Sequence, residues 1–295
     1  MTLAALMSGV ADAELIDCAP AQAATVEALS GEVEALLVGE SHGTVEMPAM
    51  LVEIVKASLL EDRGVVVALE FPSAWQSDFD RMIEASTKEE AEAILSERQT
   101  PDGRTSGAMR TMLLDLVMLT KANPNLSIAA ADINLLGERR DWQVPDWWPE
   151  SVNFERSVRD YAMGENALKA CRQAGCDLLI YYAGNFHVSA VGRMGGSLDV
   201  RTGEVTEFEV LPSGAVIARE KKTASIYLTH EGGASTAMRA TGFGQSAMTP
   251  NTPDYVEERG LAYCADGSAY FSHFLNVGPV SSSADPYADS GDDGG

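Results

Sequence analysis

The chain has 295 residues, 45% of them hydrophobic, with 44 acidic and 21 basic side chains and a net charge of −23. That is enough apolar sequence for a large core. Negative charge in this excess repels phosphate backbones and anionic lipid, so a nucleic-acid partner is not expected. Nor is a membrane span, because no run of about 18 apolar residues occurs.

The opening stretch, MTLAALMSGVADAELID, is briefly apolar but lacks the basic segment of a signal peptide, and it reads as a mature N-terminus. Four short, nearly continuous apolar runs follow at 34–38, 65–69, 127–131 and 178–182, the pattern of strands buried on both faces. Helical periodicity fills the gaps. Residues 46–60 place Met50, Leu51, Ile54, Val55 and Leu59 on one side, Thr87-Lys88-Glu89-Glu90 reads as a capping box, and 106–122 is a second amphipathic run. Residues 153–174 form the longest helical pattern, with Gly175 placed to end it. Such alternation predicts an α/β fold with a mostly parallel central sheet flanked by helices.

After about His187 the pattern shifts to short strand candidates at 197–200, 205–210, 215–219 and 225–229, an antiparallel β-rich extension by its turns. Residues 231–262 read as irregular, and 281–295 as a disordered acidic tail. The division expected is a core domain over 1–190, a β-rich extension packed on it over 191–280, and the tail. Cys18, Cys171, Cys176 and Cys264 match neither a C-x-x-C nor a zinc spacing, and cysteines so few and scattered suit a reducing, cytoplasmic compartment.

In parallel sheets the site lies beyond the carboxyl ends of the strands. There the polar residues of this chain gather. The first strand runs into Gly39-Glu40-Ser41-His42-Gly43-Thr44-Val45-Glu46, the second into Glu70-Phe71-Pro72, the third into Asp132, the fourth into Gly184-Asn185-Phe186-His187. A carboxylate closing an apolar strand is costly to bury unless paired. Each of these residues also has a plain structural reading: Thr44 as a helix cap, Glu46 as a first-turn acid, Asp132 as a loop cap, an Arg–carboxylate bridge from helix to sheet. Arg159 and Asn166 share a face of the long helix, about 10 Å apart. His230 and His273 read as structural. Trp142, Trp147 and Trp148 lie in one loop, read either as pinned by its rings or as lining a ligand pocket.

Taken in order, Gly39-Glu40-Ser41-His42-Gly43-Thr44 with Glu46, Leu69-Glu70-Phe71-Pro72, Asp132, Arg159 through Asn166 and Ala183-Gly184-Asn185-Phe186-His187-Val188 resemble the superfamily of erythromycin esterase-like, haem-binding ChaN-like and TIKI proteins. The resemblance covers roughly 34–190. A single residue between Glu40 and His42 is more similar to the ChaN-like branch than to the esterases, which place two there.

The resemblance implies a hydrolase acting on an ester, lactone or amide bond of a small molecule or peptide. His42 would be the general base, Glu40 or Glu70 its partner, His187 a second acid/base or oxyanion group, and Arg159 an oxyanion stabiliser. Glu46, Asp132, Asn166, Asn185 and Trp147 are the candidate substrate contacts. A metal-assisted variant would place Zn²⁺ or Mn²⁺ on Glu40, His42, Glu70 and His187. The alternatives are a non-enzymatic haem-binding protein with Tyr161, Tyr181 or Tyr182 as axial ligand, and a member recruited to modify a peptide or natural product.

Overall fold

The computed structural model describes residues 18–20, 25–60, 62–97, 106–133, 142–198, 205–239, 242–252, 256–264 and 270–284. Its centre is an eight-stranded sheet. In chain order the strands of that sheet are β1 (Cys18–Pro20), β2 (Ala35–Glu40), β3 (Val65–Pro72), β4 (Leu126–Asp132), β5 (Leu178–Gly184), β8 (Thr223–Thr229), β11 (Leu261–Cys264) and β12 (His273–Asn276). Their spatial order is β1-β11-β12-β8-β2-β5-β3-β4. Every pairing from β12 to β4 is parallel; β1 and β11 add an antiparallel edge. Two hairpins stand apart from it, β6 (Arg193–Leu198) with β7 (Val205–Val210), and β9 (Gly233–Arg239) with β10 (Gly242–Met248).

Helices cover both faces, which is why β2, β3 and β5 are apolar without alternation. On one face lie α1 (Val26–Glu32), α2 (Glu46–Ser58), α3 (Gln76–Glu84), α4 (Lys88–Ser96) and α5 (Gly107–Ala122), packed on Leu36, Val38, Val67, Leu69 and Ile180. On the other lie α6 (Phe154–Ala174) and α7 (Ser213–Ala218), packed on Leu37, Val66, Ala68 and Tyr181. Among the described residues no helix is long and apolar enough to cross a membrane.

The helix ends follow the local chemistry. Ser106 and Asn153 cap α5 and α6 through their side chains, and Gly175 closes α6 at φ 64°. Thr87 Oγ1 accepts the Glu90 N–H, but Glu90 returns its carboxylate to the Ser86 N–H, one residue earlier than a regular capping box. Thr44 is no cap. The residue before α2 is Val45, with no side-chain cap bond, and Thr44 is buried in a bridge to Ser282.

The chain after residue 190 departs most from expectation. Residues 215–218 belong to helix α7, with Arg219 as its C-cap, and not to a strand. Four apolar residues do not distinguish the two by period, and Pro212-Ser213 before them opens a helix. Residues 225–229 fall in β8, which lies inside the main sheet, parallel to β2. Residues 231–262, expected to be irregular, contain the β9–β10 hairpin; its small residues give little strand signal. Ser281 to Ala284, assigned from sequence to the tail, bond to the loop after β2 and to the start of α5. Residues 285–295, and 199–200 of the first strand candidate, lie outside the described residues.

Cys171 and Cys176, which fit no sequence pattern, are joined in a disulfide across the end of α6. The three tryptophans are held by ring packing. Trp148 is buried, donates Nε1–H to Val152 O, and meets Phe154 and Tyr161 edge-on. Trp147 packs on Trp148 and lies under the Arg219 guanidinium at 4.2 Å. The loop is therefore pinned, and Trp147 is tied into that packing rather than into the polar cluster described next.

Candidate active site at the carboxyl ends of the sheet

Strand pairing sets the positions of the acids. Glu40 ends β2 opposite Gly184, the last residue of β5. Glu70 falls where the β3–β4 register shifts between Leu69 and Pro72, an irregularity of the kind that re-aims a side chain. Asp132 ends β4. All three carboxylates are at least 95% buried, as is expected only of fully partnered charges.

Arg159 of α6 is the main partner. Its Nε donates to Asp132 Oδ1 at 2.9 Å and its Nη2 to Asp132 Oδ2 at 2.7 Å, a two-bond fork. Nη2 also donates to Glu70 Oε1 at 2.6 Å, and Nη1 lies 3.3 Å from His187 Nε2. Burial alone would lower the guanidinium's pKa; Glu70, then Asp132 and Asp160, more than offset it and push it upward. A guanidinium has five N–H groups. Four are used in this way, leaving one Nη1–H without a protein partner among the described residues.

Each histidine is anchored at Nδ1. His42 Nδ1 is 2.7 Å from Glu40 Oε1, and the other Glu40 oxygen accepts the Tyr182 hydroxyl at 2.5 Å. His187 Nδ1 is 2.6 Å from Asp160 Oδ1, which also accepts the N–H and O–H of Ser213, both at 3.0 Å. Since carboxylates only accept, both rings carry a proton on Nδ1, and since a guanidinium only donates, His187 presents Nε2 as acceptor. The two Nε2 atoms approach opposite oxygens of Glu70, at 3.6 Å for His42 and 3.7 Å for His187.

The rings differ in access: the side chain of His42 is 35% exposed, that of His187 16%. A Cβ on Gly184 would lie 3.1 Å from His42 Nε2, and the Gly184 N–H binds Glu70 Oε2 at 2.9 Å, so the glycine leaves room for both groups over the strand end. Gly43, at φ +85°, is enclosed in another way: a Cβ there would fall 1.7 Å from Thr236 O. Its carbonyl accepts the N–H groups of Thr236 and Ser283.

The structure thus brings together Glu40, His42, Glu70, Asp132, Arg159 and His187 among the residues singled out from sequence. It places the remaining four elsewhere. Glu46 receives the Ser281 N–H and hydroxyl, Asn166 ties α6 to Ala131 O, and Asn185 donates to Ser41 Oγ. The Asn185 oxygen is buried against Gly39 without a hydrogen bond. Trp147 lies in the aromatic packing. Sequence reading missed Asp160, Tyr182 and Ser213 as members of the cluster. Asp160 stands next to Arg159, and that adjacency was the only available signal. His230 and His273 are both buried outside it, His230 accepting the Gly232 N–H.

No family model and no curated protein matches the chain. Solved structures do. A protein from Bacillus cereus aligns with a TM-score of 0.57 over 90% of this chain and 96% of its own, at 14% identity. A succinoglycan biosynthesis protein aligns with a TM-score of 0.55 over 90% and 95%, at 11% identity. A mutant of the erythromycin esterase EreC in its open conformation aligns with a TM-score of 0.49 over 75% and 77%, at 14% identity. Identities this low speak to the fold alone, and it is the fold shared with the Bacillus cereus protein and the succinoglycan biosynthesis protein.

Proposed function

We propose that this protein is a hydrolase that cleaves an ester, lactone or amide bond of a small molecule or peptide by histidine general acid–base catalysis. The observation that carries the reading is the opposed pair at Glu70: an accessible imidazole whose Nε2 lies 3.6 Å from one oxygen, and a fixed guanidinium with one N–H to spare on the other. In this reading His42 Nε2 takes a proton from water, and the hydroxide attacks the carbonyl carbon. The carbonyl π electrons move to its oxygen, which receives the remaining Arg159 Nη1–H. The tetrahedral intermediate collapses with loss of the alkoxide or amine, and the His42 imidazolium returns the proton to that leaving group. Glu40 holds the tautomer of His42 and stabilises its charged form. His187, whose Nε2 already accepts from Arg159, orients the guanidinium rather than moving protons.

The metal variant does not fit these side chains. Both oxygens of Glu70 are engaged, by Arg159 and Gly184 N–H, Glu40 holds His42 Nδ1–H and Tyr182 O–H, and the guanidinium lies against Glu70 and His187, two of the four proposed ligands. Among the described residues no three His, Cys, Asp or Glu side chains form a ligand group. Haem fits no better. Tyr181 and Tyr182 are at most 1% exposed, with hydroxyls bound to Met163 Sδ and Glu40, and Tyr161 packs among Trp142, Trp147, Trp148 and Phe154.

We keep the boundaries at 190 and 280 only as marks of a change in sequence character, since β8, β11 and β12 lie in the same sheet as β2 to β5. For the compartment, the Cys171–Cys176 bond favours an oxidising one over the cytoplasmic placement read from the scattered cysteines. A free-thiol count on protein taken rapidly from its native host decides between them.

The catalytic reading is tested by screening ester, lactone and amide substrates with and without a chelator. Turnover should survive chelation. His42→Ala should remove about 10²–10⁴ of the rate, and His187→Ala should leave more activity than His42→Ala. Full activity in His42→Ala would eliminate the general-base role.

A further inference from the structure

The site does not end at residue 190. Helix α7 begins with Pro212-Ser213-Gly214, and this turn contacts the His187 half of the cluster at two points. Ser213 is fully buried and places both its N–H and its hydroxyl on Asp160 Oδ1, the same oxygen that takes His187 Nδ1–H. The next residue, Gly214, donates its N–H to His187 O at 2.8 Å. Around the His187 ring stand Arg159 and Asp160 from α6, Glu70 from β3 and Phe186 edge-on from its own loop.

Three hydrogen bonds on one carboxylate oxygen leave Asp160 little freedom to turn. With its oxygen fixed, the His187 ring is fixed at Nδ1, and among the described residues its Nε2 is the only acceptor holding Arg159 Nη1. We infer that Ser213 is a positioning residue: by locking Asp160 it sets the tautomer and plane of His187, and through His187 the direction of the Arg159 N–H that meets the substrate oxygen. This rests on the acid–base reading above. It also explains why a serine that touches neither histidine is fully buried among ionised groups.

Nuclear magnetic resonance of the imidazoles in the full chain tests this without a substrate. The chain has four histidines, and His187→Gln assigns the signal that matters. The expected result is a slowly exchanging Nδ1–H proton on His187 with an unprotonated Nε2. Ser213→Ala should lose that slow exchange while the His42 signal persists, and Ser213→Thr, which keeps the hydroxyl, should retain it. Ser213→Cys keeps the volume with a weak donor and should behave as Ser213→Ala, so a folding defect of the alanine variant does not close the test. Once a turned-over substrate is known, Ser213→Ala should lower kcat about tenfold, the worth of one hydrogen bond, with KM changed less than about twofold.

An Nε2–H tautomer in the unsubstituted protein would overturn the proposal. So would a His187 signal unchanged in both the alanine and the cysteine variants. If no ester, lactone or amide is hydrolysed, the resonance results still judge Ser213. If hydrolysis is found and the resonance results fail, only the role of Ser213 falls.

Discussion

Arg159 holds Asp132 through two parallel hydrogen bonds, Nε to Oδ1 and Nη2 to Oδ2, and this fork fixes the guanidinium plane against the end of β4. A lysine carries the same charge but cannot form the fork. Arg159→Lys should therefore fold and lose about 10²–10³ in kcat, the effect of removing one oxyanion donor. Arg159→Met takes the guanidinium from two buried carboxylates, Glu70 and Asp132, and should cost about 3–5 kcal/mol of stability. Urea unfolding of the two variants, beside their kinetics, separates these effects; equal stability loss in both would contradict the fork argument.

Tyr182 is fully buried, and burial first, then Glu40, holds its hydroxyl well above the ordinary tyrosine pKa, so it stays a donor. Tyr182→Phe strips Glu40 of a charge-assisted hydrogen bond worth about 1.5–3 kcal/mol. The expected signature is a lower denaturation midpoint together with faster exchange of the His42 Nδ1–H proton. A phenylalanine variant as stable as the parent would show that Glu40 finds another donor.

His273 is a pH-sensitive group outside the site. Burial lowers its pKa from 6.5, and Glu32 opposes this only in part. Between the folded and unfolded values the unfolded chain binds a proton that the folded one refuses, so stability is full above pH 6.5 and falls as pH drops through the folded value. Thermal melts from pH 7.5 to 5 should show a smaller acid loss for His273→Gln than for the parent. Parallel curves would remove His273 as the source.

Reduction of the Cys171–Cys176 bond opens a short loop at the end of α6. Chain entropy puts its worth at about 2 kcal/mol. Cys171→Ala with Cys176→Ala should unfold at lower denaturant by that amount and should match the reduced parent. A reduced parent as stable as the oxidised one would place the gain elsewhere.

Strands β2, β3, β4 and β5 were legible because double-sided burial writes an apolar run with a polar stop, and Glu40, Glu70, Asp132 and His187 fall at or just past those stops. Arg159 was legible from a polar position on an otherwise packed helix face. Tyr182 was hidden by the same rule that revealed its strand: inside an apolar run a tyrosine reads as bulk, and nothing local shows that its hydroxyl meets Glu40. Ser213 was hidden by distance, since its bond to Asp160 spans 53 positions. Val216 and Ile217 read as a strand because their burial comes from packing on α6, which short-range periodicity does not encode.

Gly43 lies between Thr236 of β9 and Ser283, and both donate to its carbonyl. The loop bearing His42 is therefore set by segments about 190 and 240 residues downstream of it. As the chain is made from its N-terminus, the first histidine leaves the ribosome early and waits for its fasteners until almost everything described here has followed. A nascent or truncated chain that stops near residue 190 carries every acid and base of the cluster and lacks the means to hold them in place. The geometry of the loop is thus completed only once Thr236 and Ser283 have been made.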